Sequence, residues 1–172
     1  NWTAGTNFQS CNKTVQFNDI STSNIGTVAG WAWNFGEPSS GAANTSTLQN
    51  PSHTYTSNGT YTVTLTITDN SGCTNTYSHP VVINAPITLS PTSTSPLCNG
   101  GNNGSIVITP SGGFGTSTGY YLPSGYDYTW FDGTKGASHV GLTAGTYTVT
   151  ATDGVCSATG TYTLNQPTAL SA

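Results

Sequence analysis

The run GTYTVTLTITD at Gly59–Asp69 returns as GTYTVTATD at Gly145–Asp153, with threonine at every second position in both. A period of two is that of a β-strand, whose successive side chains point to opposite faces. Tyr61, Val63, Leu65 and Ile67 therefore share one face and Thr60, Thr62, Thr64, Thr66 and Thr68 the other. The branched Cβ of threonine suits a pleated strand while its hydroxyl tolerates water, which predicts a half-buried strand with a wet outer face. Tyr147, Val149 and Ala151 repeat the inner face in the second run.

The cysteines keep step with this repeat. Cys11 precedes Gly59 by 48 residues and Cys98 precedes Gly145 by 47, while Cys73 and Cys156 follow those glycines by 14 and 11. Two units of one plan, with a period near 87, account for the spacing. Their expected bounds in the 172-residue chain are 1–84 and 98–172, the second with a C-terminal tail. Residues 85–97 form a Ser/Thr/Pro linker and the first strand of the next module. Other short runs, at Val15–Phe17, Val28–Trp33, Ser105–Ile108 and Tyr126–Trp130, are separated by clusters of Gly, Asn, Pro and Ser, and no window carries a helical period. The expectation is an all-β fold of two tandem Ig-like antiparallel β-sandwiches. An even cysteine count in an exported chain favours one disulfide in each. The expected pairs are Cys11 with Cys73 and Cys98 with Cys156, each closing a loop of about 60 residues for ~3–4 kcal/mol. A four-cysteine zinc site would need a C-x-x-C pair, which the sequence lacks.

Charged residues make up 5% of the chain, against about 25% in an ordinary soluble protein. Lys13 and Lys135 are the only basic side chains apart from histidine. That is too few to neutralise phosphate, so neither nucleic acid nor an anionic membrane surface is an expected partner. No apolar run reaches the roughly 18 residues of a membrane span, so no membrane insertion is expected. The sequence begins at Asn1 and contains no Met. It therefore reads as a mature or excised segment of a longer precursor, which suits a secreted, extracellular or cell-surface protein.

Particular motifs place the first copy. WAWNFG at Trp31–Gly36, NPSHTY at Asn50–Tyr55 and GTYTVTLTITD occur in the order seen in PKD domains, the immunoglobulin-like modules named after polycystic kidney disease. The first copy resembles that family over about residues 11–84. The resemblance implies a core role for Trp33 and a structural one for His53. Asn34 and the pair Glu37-Pro38 depart from the family's more usual Asp and Asp-Gly. The second copy resembles the SprB-type repeat of adhesins on gliding bacteria. The matching stretches are CNGGNNGSIVI at Cys98–Ile108, YTW at Tyr128–Trp130, LTAGTYTVTATD at Leu142–Asp153 and LNQP at Leu164–Pro167. An insertion, FGTSTGYYLPS, follows its double glycine. Both families are extracellular and non-catalytic, so the resemblance implies a spacer or adhesion element.

Little in the chain suggests chemistry. Of the six carboxylates (Asp19, Glu37, Asp69, Asp127, Asp132 and Asp153), Asp69 and Asp153 end the two threonine strands and read as turn caps. His53, His79 and His139 sit outside any H-E-x-x-H pattern, and no G-x-S-x-G elbow is present. No catalytic residue, metal site or cofactor is therefore expected. Asn18, Asp19 and Asp69 are the only grouping that calcium would find, and no D-x-D pattern supports it.

Binding surfaces are easier to name. The inserted loop with Tyr120, Tyr121 and Tyr126 is a candidate interaction loop, because exposed tyrosines make amphipathic contacts. Sequons mark Asn1, Asn12, Asn44, Asn58 and Asn103 as candidate N-glycosylation sites, and the linker offers Thr92, Ser93, Thr94 and Ser95 for O-glycans. The terminal TALSA matches the ITLS that opens the second copy, so the chain stops at the start of a strand. The expected role is a non-enzymatic structural or adhesive protein. It would be a module of a surface adhesin or a subunit of a filament assembled head to tail, through self-association or neighbouring modules of one precursor. The alternative is a carbohydrate-binding accessory module of a larger secreted enzyme.

Overall fold

A computed structural model of the chain describes residues 1–4, 8–24, 26–114 and 125–169. The chain divides into two compact units, Asn1–Ala85 and Pro86–Ala172. Each is a pair of facing β-sheets, as the strand periodicity predicts.

The first unit contains β1 (Trp2–Ala4), β2 (Gln9–Ser10), β3 (Thr14–Asp19), β4 (Val28–Asn34), β5 (Thr45–Ser46), β6 (Ser52–Thr54), β7 (Gly59–Asp69) and β8 (Thr74–Ile83). One sheet has the order β1-β3-β6 and the other β2-β8-β7-β4-β5. A 3-10 segment, Pro38–Asn44, joins β4 to β5 and is broken at Gly41. The threonine strand is β7, centred in the larger sheet between β4 and β8. Its inner face carries Val63 and Leu65 into a core with Trp2, Phe17, Trp33, Phe35, Tyr55, Val81 and Ile83. Trp2 meets Phe17 and Trp33 edge-on at 5.5 and 5.8 Å, the arrangement aromatic quadrupoles prefer.

The second unit contains β9 (Ala85–Thr94), β10 (Gly104–Gly113), β11 (Asp127–Trp130), β12 (Ser138–Leu142), β13 (Gly145–Thr152) and β14 (Ser157–Leu164). Its sheets run β12-β10-β9 and β11-β13-β14. The segment read as linker and first strand thus supplies β9. Ile106, Ile108, Trp130, Leu142, Val149, Ala151 and Leu164 form the core. Here the repeated phrase is β13, paired with β11 and β14.

The two threonine strands begin and end alike. The hydroxyl of Tyr61 donates to the Ser57 carbonyl at 2.8 Å, and that of Tyr147 to the Thr143 carbonyl at 2.7 Å. In each unit a corner tyrosine fixes the approach to the strand through a residue four positions back. At the far end Asp69 Oδ1 accepts the amides of Ser71 and Cys73, and Asp153 Oδ1 those of Val155 and Cys156. The outer hydroxyls pair across strands, Thr64 with Ser78 and Thr66 with Thr76 in one unit, Thr150 with Thr159 in the other. Threonine thus serves both strand geometry and a hydrogen-bonded wet face.

The disulfides differ from expectation. Cys73 and Cys98 are free, exposed thiols, whereas Cys11 and Cys156 are disulfide-bonded. Neither Cys11–Cys73 nor Cys98–Cys156 is formed, and strand length explains why. Cys73 immediately precedes β8, while Ser10 pairs with Ile83 at its other end. Those ten residues span about 30 Å, and a disulfide needs Cα atoms within about 7 Å. Likewise Cys156 precedes β14, whereas Asn99, next to Cys98, donates from its side chain to the Pro167 carbonyl beyond that strand's far end. Eight residues separate the two ends by about 23 Å.

Candidate functional surfaces

The most tightly built polar group lies in the first unit, beneath the turn after β4. Glu37 is 3% exposed. Its Oε1 accepts the Thr56 amide at 2.8 Å and the Thr56 hydroxyl at 2.7 Å. Its Oε2 lies 3.0 Å from Nε2 of His53, which must carry the proton donated to the carboxylate. The His53 ring stacks on Phe35 at 4.4 Å. Burial pushes the Glu37 carboxyl up, but the donors from Thr56 and His53 outweigh it and hold the group below the ordinary glutamate range. Both side chains are enclosed, so the pair is a staple between the β4 turn and β6 rather than a site a substrate reaches.

The remaining acids follow the same pattern. Asp19 Oδ2 accepts the Trp31 indole N–H at 2.7 Å and Oδ1 the Ser21 amide at 2.9 Å. Burial opposes its charge, but these donors win and lower its titration. Asp132 accepts the Thr134 amide and hydroxyl and stands 2.9 Å from His139 Nε2. The Thr134 amide first, then His139, bring its carboxyl down to about 2. Among the described residues no three His, Cys, Asp or Glu side chains are grouped for a metal ion. The carboxylates of Asp19 and Asp69, considered with Asn18 for calcium, are already engaged by N–H donors within the protein.

The expected binding residues are sorted by burial. Tyr120 and Tyr121 lie outside the described residues. Tyr126 is only 8% exposed, and its hydroxyl donates to the Gly112 carbonyl at 2.6 Å, so it belongs to the core and not to an interaction loop. Of the sequon asparagines, Asn1, Asn12, Asn58 and Asn103 are exposed. Asn44 is buried, with Oδ1 accepting the Glu37 amide at 2.6 Å and its amide group donating to Asn34, so no glycan can be attached to it in the folded state. Thr92, Ser93 and Thr94 are exposed on β9, while Ser95 is half-buried and accepts the Asn165 amide.

Trp33 is buried and its N–H donates to the Leu48 carbonyl, while Trp31 is partly buried against the same core. Two features escaped the sequence. Glu37 registered only as a departure from a family turn. Phe131, 55% exposed, stacks against the His139 ring at 5.6 Å. No spacing in the chain signals either contact.

A corner tyrosine, a core tryptophan and facing antiparallel sheets define an immunoglobulin-like sandwich module. Residues 2–84, nearly the whole of the first unit, match the PKD domain family. A microbial collagenase of Vibrio alginolyticus is 43% identical over 65 residues, which cover 38% of this chain and 7% of that protein. The chain thus spans a small fraction of that relative. The PKD1 domain of Vibrio anguillarum Epp is 31% identical, covering 50% of this chain and 92% of that one with a TM-score of 0.43. The C-terminal 282-residue fragment of intimin, solved with the intimin-binding domain of the translocated intimin receptor, is 13% identical, covering 97% of this chain and 63% of that one at a TM-score of 0.60. That last likeness is one of fold. Among the described residues no helix is long and apolar enough to cross a membrane.

Proposed function

We propose that this chain works outside the cell as a non-catalytic structural module, in a bacterial surface adhesin or as the subunit of a filament joined head to tail. The observation that carries this reading is the outer edge of the second unit. Strand β14 is eight residues long, SATGTYTL, without proline or charge, and among the described residues nothing pairs with its outer side. The other edge strands are shorter or carry proline: β11 and β12 have four and five residues. Strands β1, β2, β5 and β6 are two or three residues long, and β9 carries Pro86 and Pro91, which have no N–H to offer. A long, uncharged edge lacking lysine is a template for strand addition by another chain. A contact of that kind that does not close on itself gives a fibre. The resemblance of the second unit to SprB-type repeats points the same way. The tail proposed to engage a neighbouring copy starts at Thr168, and its residues 170–172 lie outside the described residues. The partners are other copies of this chain or neighbouring modules of the same precursor. Glycans on Asn1, Asn12, Asn58, Asn103 or the β9 hydroxyls would add solubility to a surface with few charges.

The collagenase relative favours a second reading, a carbohydrate-binding accessory module of a larger secreted enzyme. Electron microscopy of the purified chain, combined with retention on insoluble polysaccharide, separates the two. Filaments support the structural reading. Dispersed monomers held on the polysaccharide support the accessory one and refute the first.

A further inference from the structure

In each unit one cysteine stands where the chain enters and another where it leaves. In the first, Trp2 pairs with Asp19, whose carboxylate binds Trp31, and Trp31 pairs with Ile67 near the end of β7. The Asp69 amide at that end donates to the Cys73 carbonyl, so the chain enters beside Cys73. It leaves at Asn84, whose amide donates to the Ser10 carbonyl at 2.7 Å, beside Cys11. In the second unit the chain enters on β9. A Cβ placed on Gly113 would touch both Ile87 of that strand and Asp153, and Asp153 accepts the Cys156 amide. It leaves after Leu164, where Asn165 and Pro167 bond Ser95 and Asn99, beside Cys98.

Oxidation state follows these positions. Cys11, at the trailing end of the first unit, and Cys156, at the leading end of the second, are disulfide-bonded. Cys73, at the leading end of the first unit, and Cys98, at the trailing end of the second, are exposed thiols. Each free thiol therefore has an oxidised counterpart at the equivalent place in the other unit: Cys156 for Cys73, and Cys11 for Cys98. We propose that Cys73 of one copy and Cys98 of the next form an intermolecular disulfide that locks copies head to tail. The partner is a second copy because one chain carries both a leading-end and a trailing-end thiol, so identical chains can join without a second component.

This inference rests on the extracellular head-to-tail reading above, since only an oxidising compartment keeps such a bond. The oxidant is a disulfide, small or protein-borne. The Cys73 thiolate attacks it, expelling one thiol and forming a mixed disulfide. The Cys98 thiolate of the neighbour then displaces the second thiol. The cysteine pair loses two protons and two electrons, and the oxidant leaves as two thiols.

The test incubates the purified chain with glutathione disulfide, followed by non-reducing electrophoresis and mass spectrometry of chymotryptic peptides. The expected result is a ladder in steps of 17.7 kDa that collapses under dithiothreitol and yields a Cys73–Cys98 linked peptide. Cys73→Ser and Cys98→Ser should each remain a monomer alone, and an equimolar mixture of the two should stop at the dimer. Wild-type chain that stays monomeric with both thiols glutathionylated, or that carries only Cys73–Cys73 or Cys98–Cys98 links, overturns the inference. Microscopy of the same samples separates it from the filament reading. Filaments without the Cys73–Cys98 peptide overturn the disulfide alone, whereas the linked peptide without filaments supports the disulfide and counts against the filament.

Discussion

The Glu37 carboxylate and the His53 imidazole meet at 3.0 Å with both side chains only 3% exposed. Removing one member of a buried, hydrogen-bonded pair strands the other and typically costs about 3–5 kcal/mol. Glu37→Ala should therefore destabilise the first unit by about that much, because Thr56 loses its acceptor as well. Hydrogen exchange during guanidinium unfolding checks this, with protection lost in peptides of residues 1–85 and retained in 125–169.

Acid should act through the same carboxylate. The folded-state titrations of Glu37 and Asp19 are lowered because hydrogen-bond donors overcome the effect of burial. That of Asp132 is brought to about 2 by Thr134 and His139. A depressed folded pKa contributes stability above the unfolded value and forfeits it as pH falls through the folded one. Melting temperature should thus decline from about pH 4.5, the ordinary glutamate value, down to about pH 2. Glu37→Gln should flatten part of that slope, and an identical slope in the variant would contradict the assignment.

The two corner tyrosines should behave as equivalents. Tyr61→Phe and Tyr147→Phe each delete one hydroxyl bond to a carbonyl four residues back, for about 0.5–1.5 kcal/mol apiece. Hydrogen exchange should place each loss in its own unit.

Gly36 and Gly72 make a paired test of backbone strain. Both have positive φ, 77° and 84°, but a Cβ on Gly36 would stand 2.5 Å from the Thr62 carbonyl oxygen, whereas one on Gly72 would meet nothing within 4 Å. Gly72→Ala should cost about 1–2 kcal/mol for the left-handed conformation alone. Gly36→Ala should cost clearly more, because strand β7 must move; equal values from urea unfolding would contradict this.

What the sequence discloses is local. Alternation along Gly59–Asp69 marks the strand, its inner face and its outer hydroxyls, since a period of two survives any packing. The corner role of Tyr61 and Tyr147 and the caps at Asp69 and Asp153 depend on neighbours within four residues, so they too can be read directly. The cysteine pairing cannot. Cys11 and Cys73 share a unit and suit each other in spacing, but β8 carries them to opposite ends of the sandwich. Burial of Asn44, Tyr126 and Glu37 depends on which residues the other sheet brings overhead, and no periodicity encodes that.

Sedimentation velocity of the purified chain across a concentration series, with thiols kept reduced, tests head-to-tail self-association most directly. Strand addition at β14 predicts species heavier than 17.7 kDa that grow continuously with concentration. A single 17.7 kDa species at every concentration would contradict it.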